Sequence, residues 1–271
     1  MRQHGVSALP QTAQAAVERS DGRPVRRAQV LAAVLWSRRH EPRAHGIGVL
    51  ALILVCALTA FAHVAEDYLT GDPIVSWDLG LARWLHVHSS PDLVSIFKVV
   101  TLAGNALVLA GVCLLVGALL LRRRSVNEAL LLTFVAVGIE LLNAVAKVAF
   151  HRPRPELRFV HLDTYSFPSG HAAASLAVYG TLAFVAGRRL RRRGRVLLAV
   201  ATVTLVLLIG FSRLYLGAHY LSDVLAGLFL GLAWASAGML VYVVADGRDA
   251  TPLLPSPVRR IVVRLGRPPS T

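Results

Sequence analysis

Lysine, arginine, histidine and aspartate recur in the second half of this chain at spacings that suit a single phosphate-handling site. Six residues separate Lys147 from Arg154-Pro155, Pro168-Ser169-Gly170-His171 comes next, and Ser212-Arg213 then precedes His219 and Asp223. Three cations, two histidines and a carboxylate form an unusual set in a chain that is 55% hydrophobic. Charges near lipid are costly and are kept for a purpose. The set is what phosphoryl transfer through a histidine requires: cations for the phosphoryl oxygens, a nucleophile, an acid and an orienting carboxylate.

Each string also has a plainer reading. Lys147 shares a helix face with Glu140 and Asn143, at i, i+3 and i+7, and a lysine one turn from a helix end can simply snorkel to the interface. Arg154 adds a planar fork for two phosphoryl oxygens, where a lysine offers a point charge. Arg152 and Arg158, in the same loop, read as solvated charges, and His151 as a surface residue. Glu140, deeper on the helix, reads as a buried, hydrogen-bonded carboxyl group outside the site. Pro168 to His171 sits where a loop becomes a helix. Proline suits a first turn and serine a cap. Glycine lets the backbone approach a ligand, and the free N–H groups then face an anion. An ordinary helix start accounts for the first three residues but gives His171 no role. His219 and Asp223 are four apart on a helix start, so the carboxylate can accept from Nδ1 and leave Nε2 free to attack. A capping ion pair at the lipid interface is the alternative. Arg213, just across a turn containing Gly217, adds the third cation.

The elements that carry these residues are transmembrane helices. The chain has 271 residues and a formal charge of +14, with a mean hydropathy of +0.58. Only two of its 29 cationic side chains are lysine, a bias that points to a GC-rich genome. The basic runs sit beside apolar segments, which favours a membrane partner over nucleic acid. Cys56 and Cys113 lie inside apolar runs, away from any disulfide framework or thiolate metal site. Long apolar stretches predict an all-α, polytopic bundle of six transmembrane helices, over roughly 47–65, 101–121, 128–150, 170–186, 196–215 and 220–245. The first apolar run follows Arg-rich polar sequence and reads as a retained span, not a cleaved signal. Residues 66–100, with Trp77 and Trp84, predict one or two interfacial helices before the second span. The membrane domain covers 46–246. A basic, mostly disordered arm covers 1–45, in which 30–36 could form an interfacial helix, and a basic tail covers 247–271. Arginines crowd the arm, Arg122 to Arg124, Arg188 to Arg195, and the tail. Six spans put all four segments on one side, which the positive-inside rule makes cytoplasmic. Both termini are then cytoplasmic, and all three motifs fall at the opposite, extracytoplasmic ends.

The joint spacing Lys147-x6-Arg154-Pro155, Pro168-Ser169-Gly170-His171 and Ser212-Arg213-x5-His219-x3-Asp223 resembles the complete three-part motif of the type 2 phosphatidic acid phosphatase family. The resemblance covers roughly residues 47–245. No motif position departs from it, and Asp72, Trp77, Pro91 and Gly104 loosely match the family's lead-in. It implies that His219 is the nucleophile and forms a phosphohistidine, that Asp223 orients it, and that His171 protonates the leaving oxygen. It further implies that Lys147, Arg154 and Arg213 hold the phosphoryl oxygens, with Ser169 and the N–H of Gly170, and that no metal or cofactor takes part. The sequence agrees in showing no carboxylate cluster for Mg²⁺.

These readings converge on a phosphohydrolase of a bacterial cell membrane, acting on a lipid phosphate or polyprenyl diphosphate whose tail stays in the bilayer. A lipid-linked phosphotransferase would share the intermediate. A transporter would use intramembrane charges as an ion path, but related halves and broken helices are absent from the sequence, and the charges gather at one face. The sequence carries no signal for an oligomeric state.

Overall fold

A computed structural model of the protein describes residues 42–246 apart from Asp72 and His161. Residues 1–41, the stretch 30–36, Asp72 and the tail 247–271 lie outside the described residues. The regular elements among the described residues are all helical: α1 (Pro42–Thr70), α2 (Pro73–Val87), α3 (Pro91–Val100), a 3₁₀ turn (Thr101–Gly104), α4 (Ala106–Arg122), α5 (Val126–Phe150), α6 (Gly170–Gly187), α7 (Arg192–Tyr215) and α8 (Leu221–Asp246). From Val49 onward the described residues belong to one compact unit.

Among the described residues, five helices are long and apolar enough to cross a membrane by themselves. A sixth crossing exists if α3 with its 3₁₀ turn and α4 count as one span bent by 44°. The expected uninterrupted span over 101–121 is corrected accordingly. The break has a local cause. Asn105 adopts extended backbone, and its side chain accepts from the N–H of Leu107 at 2.9 Å, which caps α4 and starts a new helix there. The first span runs on to Thr70, beyond its expected end at 65. The stretch 66–100 resolves into the end of α1 and the two helices α2 and α3. Ser90 caps α3 by accepting from the N–H of Leu93 at 3.3 Å, with Pro91 in the first turn, where its missing N–H is harmless. The outward faces of α1, α4, α5 and α7 carry exposed Val55, Leu114, Val145 and Val200, as helices facing lipid do.

Helix α6 borders α5, α7 and α8. Ala172, Ala173 and Ala177 are fully buried on it, so its neighbours approach closely. The tightest crossing is with α8, through Gly227 and Gly231. A Cβ on Gly227 would lie 2.4 Å from the carbonyl oxygen of Ser169, and one on Gly231 would lie 2.4 Å from that of Ala173. Two small residues four apart on one face let backbones meet. Asp223 lies one turn before Gly227, and its carbonyl accepts from the N–H of Ser169 at 2.9 Å. The crossing therefore brings the start of α8 against the start of α6. At the other end of α6, Arg189 just after it pairs with Glu128 at the start of α5, at 2.6 Å.

Gly217, in the turn between α7 and α8, has φ +64°, and a Cβ there would meet the carbonyl of Leu157 at 2.2 Å. Only glycine suits that left-handed position pressed against backbone. The N–H of Phe159 donates to the carbonyl of Leu216 at 3.0 Å, docking the loop after α5 onto this turn.

Candidate active site

The ends of α5 and α7, the starts of α6 and α8, and the loop over 151–169 meet at one point. Lys147, in the last turn of α5, donates from Nζ to the carbonyl of Tyr165. Arg154 lies in the loop, and all five of its N–H groups have acceptors. Nε donates to the carbonyl of Thr164 at 2.6 Å. Nη2 donates to Oγ1 of Thr164 at 2.9 Å and to the carbonyl of Tyr165 at 3.1 Å. Nη1 donates to the carbonyl of Ala218 at 2.6 Å and faces Nε2 of His219 at 3.2 Å. Arg213 is 4% exposed at the end of α7 and donates from Nη1 to Oγ1 of Thr101 at 2.8 Å. The bend of the broken span thus supports one of the three cations.

His219 is buried in the turn before α8. Its Nδ1 lies 3.4 Å from Oδ2 of Asp223, long for a hydrogen bond but close enough for a charge contact. A guanidinium can only donate, so Nε2 accepts and the proton sits on Nδ1, toward Asp223. Burial, followed by the charges of Arg213, Arg154 and Lys147, holds the imidazole well below its usual value of 6.5. The resting ring is neutral with an unprotonated Nε2, which is the form a nucleophile needs.

His171 opens α6 within electrostatic reach of Arg213, His219, Arg154 and Lys147. Ser169 is fully buried at the N-cap position, yet its side chain makes no cap hydrogen bond, contrary to the simple helix-start reading. Oγ of Ser169 and Nε of Arg213 are buried without a hydrogen-bond partner among the described residues. Buried donors of this kind normally have partners, and these two are available to donate to a bound group. Gly170 packs against Asn143, whose Nδ2 would lie 2.7 Å from a Cβ there. The structure therefore brings together Lys147, Arg154, Ser169, Gly170, His171, Arg213, His219 and Asp223. Among the described residues no three His, Cys, Asp or Glu side chains group as metal ligands.

Two expectations change. Glu140 is exposed on α5, because Ile139 beside it takes the fully buried position. Of its supposed face only Asn143 is buried. Arg152 is not a solvated loop charge: it is 3% exposed. Nη1 donates to Oδ1 of Asp223 at 2.7 Å and to Oγ of Ser222 at 2.6 Å, and Nη2 donates to Oδ2 of Asp78 at 2.7 Å. Its guanidinium lies over the rings of Tyr68 and Tyr220, at 4.6 and 4.4 Å from their centroids. Burial works against its charge, but Asp223 and Asp78 outweigh burial and raise its pKa further. The signal was in the repeat Arg152-Pro153-Arg154-Pro155. Residues before proline favour extended backbone, in which i and i+2 point to one side. Both arginines face the His219–Asp223 pair.

Comparison with known proteins bears on the family of the chain. The PAP2 superfamily model matches residues 128–246. Phosphatidylglycerophosphatase B of Bacillus subtilis (strain 168) is 33% identical over 163 residues, which are 59% of this chain and 80% of that protein. A lipid A 1-phosphatase of Rhizobium johnstonii is 30% identical over 139 residues, 43% of this chain and 52% of that one. The crystal structure of a transmembrane PAP2-type phosphatidylglycerolphosphate phosphatase from Bacillus subtilis superposes with a TM-score of 0.63 at 27% identity, covering 72% of this chain and 94% of that one. With its helical bundle, its apolar spans and a 33% identical relative of which it covers 80%, the chain belongs to the PAP2 superfamily of multi-pass membrane proteins.

Proposed function

We propose that this protein is a membrane phosphohydrolase that removes a phosphoryl group from a lipid phosphate through a phosphohistidine on His219. The observation that carries the reading is a neutral, buried imidazole under the charges of Arg213, Arg154 and Lys147, whose Nε2 faces Arg154 at 3.2 Å. The printed activities of the relatives, a phosphatidylglycerophosphatase and a lipid A 1-phosphatase, make a lipid phosphomonoester the first substrate class to test.

The steps follow from the positions. The substrate's phosphoryl oxygens replace the carbonyls of Thr164 and Tyr165 as acceptors for Arg154 and Lys147, and take up the free donors of Arg213 and Ser169. The lone pair of Nε2 then attacks phosphorus as the bond to the lipid oxygen breaks, and His171, protonated when the phosphate anion fills the site, supplies that oxygen with a proton. Asp223 sits beside Nδ1 and stabilises the positive charge that spreads over the ring. In the second half, water attacks phosphorus, His171 takes its proton, and Nε2 leaves. The cations neutralise the transferring group in the role that Mg²⁺ fills in many phosphoryl-transfer enzymes, so no metal is required.

The site is proposed to face away from the cytoplasm. The arginines at the end of α4 and between α6 and α7 belong to the opposite helix ends, as the Arg189–Glu128 pair at the start of α5 illustrates. Purified protein in detergent with EDTA should release inorganic phosphate from phosphatidylglycerophosphate and phosphatidate. Activity that needs added Mg²⁺ would overturn the metal-free steps. Transfer of phosphate to an added alcohol without release would convert the assignment to a phosphotransferase.

A further inference from the structure

We propose that Arg152 and Asp78 are positioning residues for phosphoryl transfer, clamping the carboxylate of Asp223 so that its second oxygen serves His219. The inference rests on the phosphohistidine reading above and extends it to a charge network that begins outside the three motifs.

The carboxylate of Asp223 is divided in its duties. Oδ1 accepts from Nη1 of Arg152 at 2.7 Å. Oδ2 accepts from the N–H of Tyr220 at 2.9 Å and lies 3.4 Å from Nδ1 of His219. With Oδ1 held, the carboxylate cannot rotate, and Oδ2 stays on the imidazole side. Arg152 is itself anchored. Nη2 donates to Oδ2 of Asp78 at 2.7 Å, and the rings of Tyr68 and Tyr220 flank its plane. Asp78 is 1% exposed on α2. Its Oδ1 accepts from the N–H of Ser222 at 2.9 Å, and its Oδ2 accepts from Oγ of Ser222, so it also pins the backbone one residue before Asp223. A helix far from the motifs in sequence therefore reaches the back of the nucleophile.

Charge supplies the second argument. Two buried carboxylates share one guanidinium, which leaves one negative charge in surplus behind His219, while Lys147, Arg154 and Arg213 stand in front. Burying such a group is expensive, and apolar side chains of similar volume often serve packing as well or better. The surplus has a use when Nε2 bonds to phosphorus and the ring turns cationic. Removing the charge of Asp78 would leave Arg152 wholly to Asp223 and cancel the surplus. Removing the charge of Arg152 would leave two carboxylates buried together and free Asp223 to turn.

The test measures kcat and KM for phosphate release from short-chain phosphatidate in detergent, for wild type, Asp78→Asn, Arg152→Gln, Asp223→Asn and the double variants with Asp223→Asn. Positioning predicts that kcat falls on the order of 10- to 100-fold in the first two single variants, with KM within about threefold of wild type. It also predicts that each double variant is no slower than Asp223→Asn alone, because both changes act through one carboxylate. Losses confined to KM, or losses that multiply with Asp223→Asn, would overturn the proposal in favour of a packing role. Asp78→Asn keeps the side chain's shape and carries the test if Arg152→Gln does not elute as a folded protein. A wild type that releases no phosphate sinks the phosphohydrolase reading and this inference with it. An active wild type with a slow Asp223→Asn and a full-speed Asp78→Asn sinks this inference alone.

Discussion

Nη1 of Arg154 faces Nε2 of His219 at 3.2 Å, so one of the cations proposed to bind phosphate sits on the atom proposed to attack phosphorus. A guanidinium only donates, so the contact assigns the proton of the imidazole to Nδ1. It also makes the two residues separable by experiment.

His219→Gln should abolish turnover of every substrate, by about 10⁴-fold or more, while the protein elutes and melts like wild type. His171→Ala should be nearly as damaging toward lipid phosphates, whose leaving oxygen needs a proton, and much milder toward p-nitrophenyl phosphate, which needs none. Equal losses on both substrates would remove His171 from the acid role.

Arg154→Lys preserves charge but loses the fork that engages Thr164, Tyr165 and Ala218 at once. A lysine can reach one of these acceptors as a point charge. We expect kcat/KM to drop roughly 100-fold or more, as when a preorganised oxyanion donor is removed. A variant within about twofold of wild type in steady-state kinetics would show that Arg154 organises the loop without serving the phosphate.

The depressed basicity of His219 links stability to pH. The folded ring stays neutral where the unfolded ring, near 6.5, takes up a proton. Below that value the unfolded state binds more protons, so the contribution of His219 to stability is present above about pH 6.5 and is lost as pH falls. Thermal unfolding in detergent between about pH 7.5 and pH 5 should show wild type losing stability toward acid, and His219→Gln losing less of it. Parallel curves for the two proteins would count against a buried neutral imidazole.

Orientation can be read by labelling. In a background with Cys56 and Cys113 replaced by alanine, a cysteine at exposed Asp163 should react with an impermeant maleimide in intact cells. One at exposed Arg191 should react only after the membrane is opened. The reverse pattern would place the site on the cytoplasmic side, with a substrate from the inner leaflet.

The residues that converge on His219 could be seen in the sequence because each sits at a helix end, where apolar length and motif spacing leave little freedom. Lys147 ends one span and His171 starts the next, so the loop over 151–169 joins them at one face of the membrane. Arg152 could not be placed in that way. Its partner Asp78 is 74 residues away on a helix whose docking depends on tertiary packing, and a charged loop residue is ordinarily solvated. Glu140 failed for a related reason. A helical wheel ranks neighbours by angle, but the helices that cover α5 decide which angle is inside, and they favoured Ile139. The bend in the second span escaped hydropathy because Asn105 interrupts an otherwise apolar run with a single polar side chain, and a window average smooths over one residue.

The Gly227–Gly231 crossing gives the protein an uneven tolerance for sequence drift. Outward-facing leucines and valines can exchange with one another at little cost, since hydrocarbon solvates each of them similarly. The two glycines have no such latitude. A single methyl group on either must push α8 away from a backbone carbonyl of α6, and Asp223 and Ser169 move apart with it. A narrow mechanical tolerance thus lies in the apolar interior, one to two turns below the chemistry, at residues that carry no functional group at all.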